Sequence, residues 1–324
     1  MGILFVGAED IDFNFIGGAQ SSYANHSGYM ETAYSRVAIR ATTRLEAKTP
    51  FNATEAWLHF CAVIGTESGT TIYPMCGFWS AELNRARITL QASLVGSDAN
   101  FEVDDGTGTY IKGSTFTFPK IKKPSDYDLH AKIDGLSVTV EFYSAGELLH
   151  RETFAIVQTY TMTNFRLSPS SNYTSWGWLY SQVIVADEPT IGWKLKTLAP
   201  AAAGDLSEFS GTFADINETT LNNDTKISAD QSARSSFKPA SWNVPAGFEI
   251  VGVSLSSYAL SDLTATISNF VRLGGQNYAD TPEALGVGWA NYRSLWPLNP
   301  ATDAPWQPAN INGTALQFGI GVTV

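Results

Sequence analysis

Cysteine is nearly absent: the 324-residue chain has two, Cys61 and Cys76. Two thiols cannot build a disulfide framework or a structural zinc site. They fall on successive strand candidates joined by Gly65–Thr70, so a cross-strand bond is geometrically open, and buried free thiols are the expectation. Charge is scarce too, at 16% of residues against about a quarter in ordinary domains. What charge there is leans one way, 31 acidic against 20 basic residues, for a formal net charge of −11. Such a balance repels phosphate backbones and anionic bilayers, which argues against nucleic acid or membrane as a partner. The one basic run, Lys120–Lys123, reads as a solvated loop. No apolar run approaches the length of a bilayer span. Met1–Gly7 offers no basic region ahead of Glu9 and Asp10, and Val6 breaks the myristoylation pattern. The expectation is a chain made in a cytosol and kept there unless another route exports it.

Helical periodicity is also missing. In its place short β-rich runs alternate with Gly, Asn, Asp and Ser clusters, the pattern of sandwiches and barrels. Trp57–Ile64, Ala86–Leu94, Leu136–Tyr143, Leu148–Ile156 and Ser181–Ala186 are such runs, as are Phe248–Ala259, Ala265–Leu273, Val287–Leu295 and Ala315–Val324. Leu136–Phe142 alternates apolar and polar residues behind Asp134-Gly135, a strong hairpin signal. The fold class is therefore all-β, with two tandem β-sandwich, jelly-roll-like domains. Leu198–Asp205 is small and punctuated by Pro and Gly, as a linker should be, which puts the domains at 1–195 and 196–324. Thr219–Ser236 has almost no large hydrophobics, so residues 217–238 read as a long exposed loop. There is no internal repeat and no heptad pattern.

Catalytic constellations are sparse. His26, His59, His130 and His150 lie far apart, and none stands at a metal-binding distance along the chain from Cys or another His. No Gly-x-Ser-x-Gly elbow, P-loop or dinucleotide fingerprint occurs. Asp10 and Asp12 are too few for a calcium loop and read as solvated. No metal, no cofactor and no enzymatic activity are expected. Sugar recognition asks for less: a planar aromatic for the ring to lie on, and Asn, Asp or Arg for its hydroxyls. Two stretches supply both. One carries Asn172, Tyr173, Trp176 and Trp178; the other carries Asn291, Tyr292 and Arg293 next to Trp289.

Three stretches resemble a known family, the virion structural proteins of tailed bacteriophages, in which a concanavalin/laminin-G-like sandwich precedes a second β-domain. Asp128–Ile133 with Leu136–Tyr143 and Gly146–Leu148 looks like the laminin-G hairpin pair. Ser175–Thr190 resembles the closing strand of that sandwich, and Thr197–Gly204 the linker behind it. Trp296–Trp306, running on to Ala315–Ile320, looks like the end of many phage appendage proteins. The resemblance implies a structural component of a phage particle, a surface-exposed fibre, collar or tail appendage or decoration protein. It would assemble in host cytoplasm, contact other virion proteins and form a homo-oligomer. Pro297, Pro300, Pro305 and Pro308 stiffen the third stretch, so little entropy is lost if it docks. Trp289, Trp296 and Trp306 are accordingly the interface candidates. The alternative is a lectin-like binder of a host surface glycan, as the tip of the same appendage or by itself. Concanavalin-like sandwiches also host glycoside hydrolases with a Glu-x-Asp-x-x-Glu strand. Here Glu102-Val103-Asp104 begins that pattern, Thr107 ends it, and the segment reads as a hairpin turn.

Overall fold

A computed structural model describes residues 2–7, 12–16, 36–39, 44–63, 72–93, 98–119, 125–168, 178–217, 223–311 and 315–324. They form an all-β protein whose contacts divide it into two compact units, Met1–Thr197 and Leu198–Val324. Among the described residues helix is confined to short turns such as Pro308–Ile311, and none is long and apolar enough to cross a membrane.

The first unit is a sandwich of two antiparallel sheets. Sheet I runs, in spatial order, Ile3–Gly7, Trp178–Ala186, Glu55–Val63, Ser125–Asp134, Ser137–Ser144 and Glu147–Ala155, with Arg36–Ile39 also on Trp178–Ala186. Sheet II runs Phe116–Thr117, Asp98–Asp104, Arg85–Ser93, Ile72–Ser80, Asn164–Leu167, Arg44–Ala47 and Phe13–Ile16, with Tyr110–Lys112 on Asp98–Asp104. Alternation along the strands sends Leu58, Phe60, Leu129 and Phe142 inward from sheet I to meet Phe78, Leu90, Phe101 and Phe165 from sheet II. Phe118, Tyr127 and Phe142 stack near-parallel, with centroids 5.7–6.0 Å apart. Burying each such ring contributes about 1.5–3 kcal/mol. Two tight hairpins set the register. Asp134 pairs with Ser137 around Gly135 at φ 59°, and Ser144 pairs with Glu147 around Ala145 and Gly146 at φ 51° and 83°. Positive φ at Gly135 in the first turn, and at both Ala145 and Gly146 in the second, matches the right-handed twist of the strands they join. Cys76 lies in the core and Cys61 is buried on the other side of sheet I; both are free thiols.

The second unit has one six-stranded antiparallel sheet, ordered Pro200–Ser207, Ala233–Pro239, Leu316–Thr323, Thr266–Leu273 and Gln276–Ala279, with Glu283–Ala284 also on Thr266–Leu273. A two-stranded ribbon, Val253–Ala259 paired with Ala290–Trp296, packs over it. Val271, Leu273, Trp296, Trp306, Ile311 and Leu316 are the buried centre between the layers.

Two readings of the sequence are corrected here. The stretch expected to be a linker, 198–205, contributes the strand Pro200–Ser207. Its small residues serve close approach: a Cβ on Gly204 would stand 2.3 Å from Ser236 Oγ and 2.4 Å from Gln317 Oε1. The supposed loop 217–238 includes most of a second strand, Ala233–Pro239, with Ala233, Ser235, Ser236 and Phe237 buried. Neighbouring backbone fills the space that large side chains would take, since a Cβ on Gly319 would stand 2.3 Å from Ser235 O. Small side chains in the half-exposed first segment, and buried serines in the second, made these segments look like loops.

Candidate functional site

The ribbon presents two faces. Its inner face carries Val253, Leu255, Ser257, Tyr292, Ser294 and Trp296, with Tyr292, Ser294 and Trp296 buried. Its outer face carries Ser256, Tyr258, Asn291 and Arg293, continued by Trp289 just beyond the last strand pair. Tyr258 and Trp289 lie nearly parallel, centroids 5.2 Å apart at 11°, and both are half-buried. Beside them Ser256 Oγ lies 2.6 Å from Asn291 Oδ1, and Arg293 Nη2 lies 3.5 Å from Ser256 Oγ. The result is an aromatic platform flanked by hydroxyl, amide and guanidinium groups. The loops past the platform end are apolar and exposed at Leu260, Leu263 and Val287, and are braced by Ser261 N donating to Gly286 O (2.9 Å) and Leu285 N to Ala265 O (2.9 Å).

Two buried contacts hold this face rigid. Asn269, on the central strand beneath the ribbon, accepts from Ser257 Oγ at 2.6 Å and donates to Tyr292 O at 3.0 Å, tying both ribbon strands to the sheet. Trp306 Nε1 donates to Trp296 O at 2.8 Å at the ribbon's far end.

The structure sorts the predicted residues. Asn291, Arg293 and Trp289 come together on the outer face. Tyr292 points the other way, its hydroxyl accepting from Gly286 N (3.2 Å) and donating to Ala284 O (3.4 Å), so it positions the loop and offers nothing to a ligand. Trp296 and Trp306 are corrected as interface candidates: they are 8% and 2% exposed and form the core. The proline-braced stretch turns inward because Asn299 organises it, accepting from Ala301 N at its side chain and from Thr302 N and Asp303 N at its carbonyl. Asn172, Tyr173 and Trp176 lie outside the described residues; Trp178 opens the strand Trp178–Ala186, and its side chain lies outside them too. Asp10 is likewise outside, while Asp12 is buried rather than solvated. Tyr258, Ser256 and Asn269 escaped sequence reasoning. Only the polar–apolar alternation of Val253–Ala259 hinted that Ser256 and Tyr258 share a face.

Among the described residues of the first unit, the polar clusters are engaged in contacts within the fold. Asp104 is fully buried and accepts from Arg87 (2.6 Å), Arg85 (2.9 Å), Gly106 N and Gly108 N, while Glu102 accepts from Gln91. Those partners consume the carboxylates a hydrolase would need. Ser114, His150 and Glu152 converge, yet the hydroxyl (3.2 Å) and the carboxylate (3.4 Å) meet the same ring nitrogen, Nε2. A nucleophile–base–acid relay needs them on opposite nitrogens. His59 Nδ1 lies 2.8 Å from Asp128 Oδ1, which also accepts from Thr190 Oγ1 at 2.7 Å, and all three residues are buried. That chain, with Lys194 Nζ bonded to Asp126, pins the segment after Trp178–Ala186 across sheet I. His130 stacks on Trp57 at 4.2 Å between Glu141 (2.8 Å) and Glu55 (3.1 Å). Burial works against ionising both glutamates, but bonds from Lys132 and His130 to Glu55, and from His130 and Tyr143 to Glu141, outweigh it and hold each carboxyl below its ordinary value. Among the described residues no three His, Cys, Asp or Glu side chains are grouped to hold a metal ion.

No family model and no curated protein matches this chain. Among solved structures, the receptor binding domain of botulinum neurotoxin C/D mosaic serotype aligns over 99% of this chain and 92% of its own, at 10% identity and a TM-score of 0.42. The botulinum neurotoxin serotype D binding domain aligns over 57% of this chain, which spans only 47% of that one, at 9% identity and a TM-score of 0.39. Domain 4 of AbnA, an extracellular arabinanase from Geobacillus stearothermophilus solved with arabinotriose, aligns over 57% of this chain and 93% of its own, at 13% identity and a TM-score of 0.36. Likenesses this distant carry no weight for function, which rests on the chain's own residues.

Proposed function

We propose that the protein is a carbohydrate-binding protein that acts by binding, without turnover, through the outer face of the ribbon in its second unit. The observation that carries this is the Tyr258–Trp289 pair with Ser256, Asn291 and Arg293 around it. A sugar ring has faces of C–H groups that lie against aromatic carbon and an edge of hydroxyls that need donors and acceptors, and this face supplies the two side by side. Few polar groups among apolar ones, set on a rigid scaffold, are what small-ligand sites require. Here Asn269 and the Trp306 contact supply the rigidity.

A glycan array probed with the full chain tests the reading. Binding should appear and fall at least tenfold in Trp289→Ala, with the melting temperature nearly unchanged because the ring is half-buried. No binding to any glycan at millimolar concentration sinks it. A virion setting rests on the resemblance of the three sequence stretches alone, and none of the solved structures named above is a phage protein by its title. A glycan binder suits a host-facing appendage, where a homo-oligomer would multiply weak contacts. Immunogold labelling decides that setting: gold at a fixed place on phage particles supports it, and gold confined to cell envelopes rejects it.

A further inference from the structure

We propose that the protein forms a twofold dimer by pairing the edge strand Glu147–Ala155 of sheet I, antiparallel, with the same strand of a second copy. Two observations carry this, and neither depends on the carbohydrate reading. The first is the length of the edge. This outermost strand has nine residues, whereas the outermost strands elsewhere in the sandwich, Ile3–Gly7, Arg36–Ile39, Phe13–Ile16, Phe116–Thr117 and Tyr110–Lys112, have two to five. Its backbone pairs with Ser137–Ser144 on one side, and among the described residues no strand pairs with the other. A bulge at Leu149 bends its start, but from His150 to Ala155 the ladder is regular and holds no proline or lysine, residues that commonly guard an edge. The second observation is where the first unit leaves apolar side chains in solvent. Six large ones are exposed among its described residues, Leu83, Tyr110, Leu136, Leu148, Val157 and Ile191, and the last four flank this strand. Leu148 stands on it, and Ile191 lies 3.6 Å from the place of a Cβ on Gly146, in the turn that leads into it. Leu136 and Val157 border its far end, where Ile156 N donates to Leu136 O at 2.9 Å.

The two ends suit each other. Antiparallel pairing about a twofold axis sets the Leu148 and Ile191 end of one copy against the Leu136 and Val157 end of the other, and does so twice. Between the ends the charges need nothing from a partner: Arg151 is paired with Glu141 (3.3 Å), and Glu152 accepts from Ser114 N (2.9 Å). The outward backbone N–H and C=O groups supply hydrogen bonds between copies, and the apolar ends supply the burial. A strand of nine residues is about 30 Å long. With a sandwich edge about 20 Å across, the strip offers about 600 Å² per copy and about 1,200 Å² in all, the lower end for a specific complex. The dimer is therefore reversible, with a dissociation constant in the micromolar range.

Sedimentation velocity of the full chain tests it. The mass should rise from one chain to two between low and high micromolar protein. Over the same range hydrogen exchange should slow in His150–Ala155, whose outward amides become paired, and stay constant in the interior strand Glu55–Val63. Leu148→Glu and Val157→Glu alter side chains that are 50% and 67% exposed, so folding is spared. Because the axis counts each change twice, either should raise the dissociation constant about a hundredfold or more, with circular dichroism unchanged. A monomer at high micromolar protein overturns the dimer. A dimer that withstands both substitutions, or that forms without slowing exchange in His150–Ala155, joins through another surface and overturns the assignment to this edge. Glycan binding, or its failure, moves none of these results, so the two proposals fail separately.

Discussion

Replacing Asn269 by Ala should loosen the ribbon from its sheet, and the size of the effect follows from its bonds. The side chain is 3% exposed and makes two well-formed contacts, from Ser257 Oγ at 2.6 Å and to Tyr292 O at 3.0 Å; the contact to Leu255 O, at 3.5 Å, adds little. Each good bond contributes about 0.5–1.5 kcal/mol net, and each partner left buried and unpaired costs about 1–3 kcal/mol. The amide carbonyl of Tyr292 is the costlier loss, because the Ser257 hydroxyl can rotate toward another acceptor. The expected cost is about 3 kcal/mol of unfolding free energy for the second unit. Urea unfolding followed by tryptophan fluorescence measures it, and sugar binding should weaken in parallel as the platform loses its anchor. A double-mutant cycle with Ser257→Ala isolates the pair: a coupling of about 1 kcal/mol is expected for residues in direct contact. A loss under about 1 kcal/mol with additive single mutants would refute the view that Asn269 pins the ribbon.

Three further outcomes are expected. Ala145→Gly should stabilise the first unit by up to about 1 kcal/mol, since Ala145 sits at φ 51° where a Cβ is strained; thermal melting checks it, and a lower melting temperature counts against the assigned turn. Acid should destabilise the first unit through Glu55 and Glu141, whose folded carboxyls ionise below their ordinary value of 4.5: the stability they contribute is complete above that value and is lost as pH falls through the lower folded one. Glu141→Gln should flatten the acid limb of a stability–pH profile, and an unchanged limb rejects the role of the His130 contact. Burial, with Asp126 nearby, pushes the Cys61 thiol up to about 11, and burial pushes Cys76 up as well, so neither should react with a disulfide reagent at pH 8 until urea unfolds the chain.

Strand identity was legible in the sequence because alternation of apolar and polar residues is a local property. Leu136–Tyr143, Ala265–Leu273 and Ala315–Val324 were read within about two residues of the strands they form, and the Asp134-Gly135 hairpin follows from a turn that its own residues dictate. The same local logic failed at 198–205 and 233–238. There the strands pack by Gly204 against Ser236 and Gly319 against Ser235, and a segment with little hydrophobic mass looks like a loop when its neighbours are unknown. Composition likewise set the acidic balance of the chain.

The candidate site divides along the same line. Asn291 and Arg293 were visible together because they alternate along the strand Ala290–Trp296, and Trp289, just before it, continues the same alternation. Which face Tyr292 takes follows from that alternation once the strand is paired, and only the sheet beneath made its side the inner one. Tyr258 and Ser256 lie more than thirty residues earlier, and only the register Ser256↔Arg293 and Tyr258↔Asn291 brings them to the platform. Trp296 and Trp306 show what sequence cannot supply. An indole is large enough to found a core and polar enough to dock at a surface, and the choice depends on whether its N–H finds a buried acceptor. Trp306 finds the carbonyl of Trp296, and that contact exists only once the chain between them has folded back through Asn299.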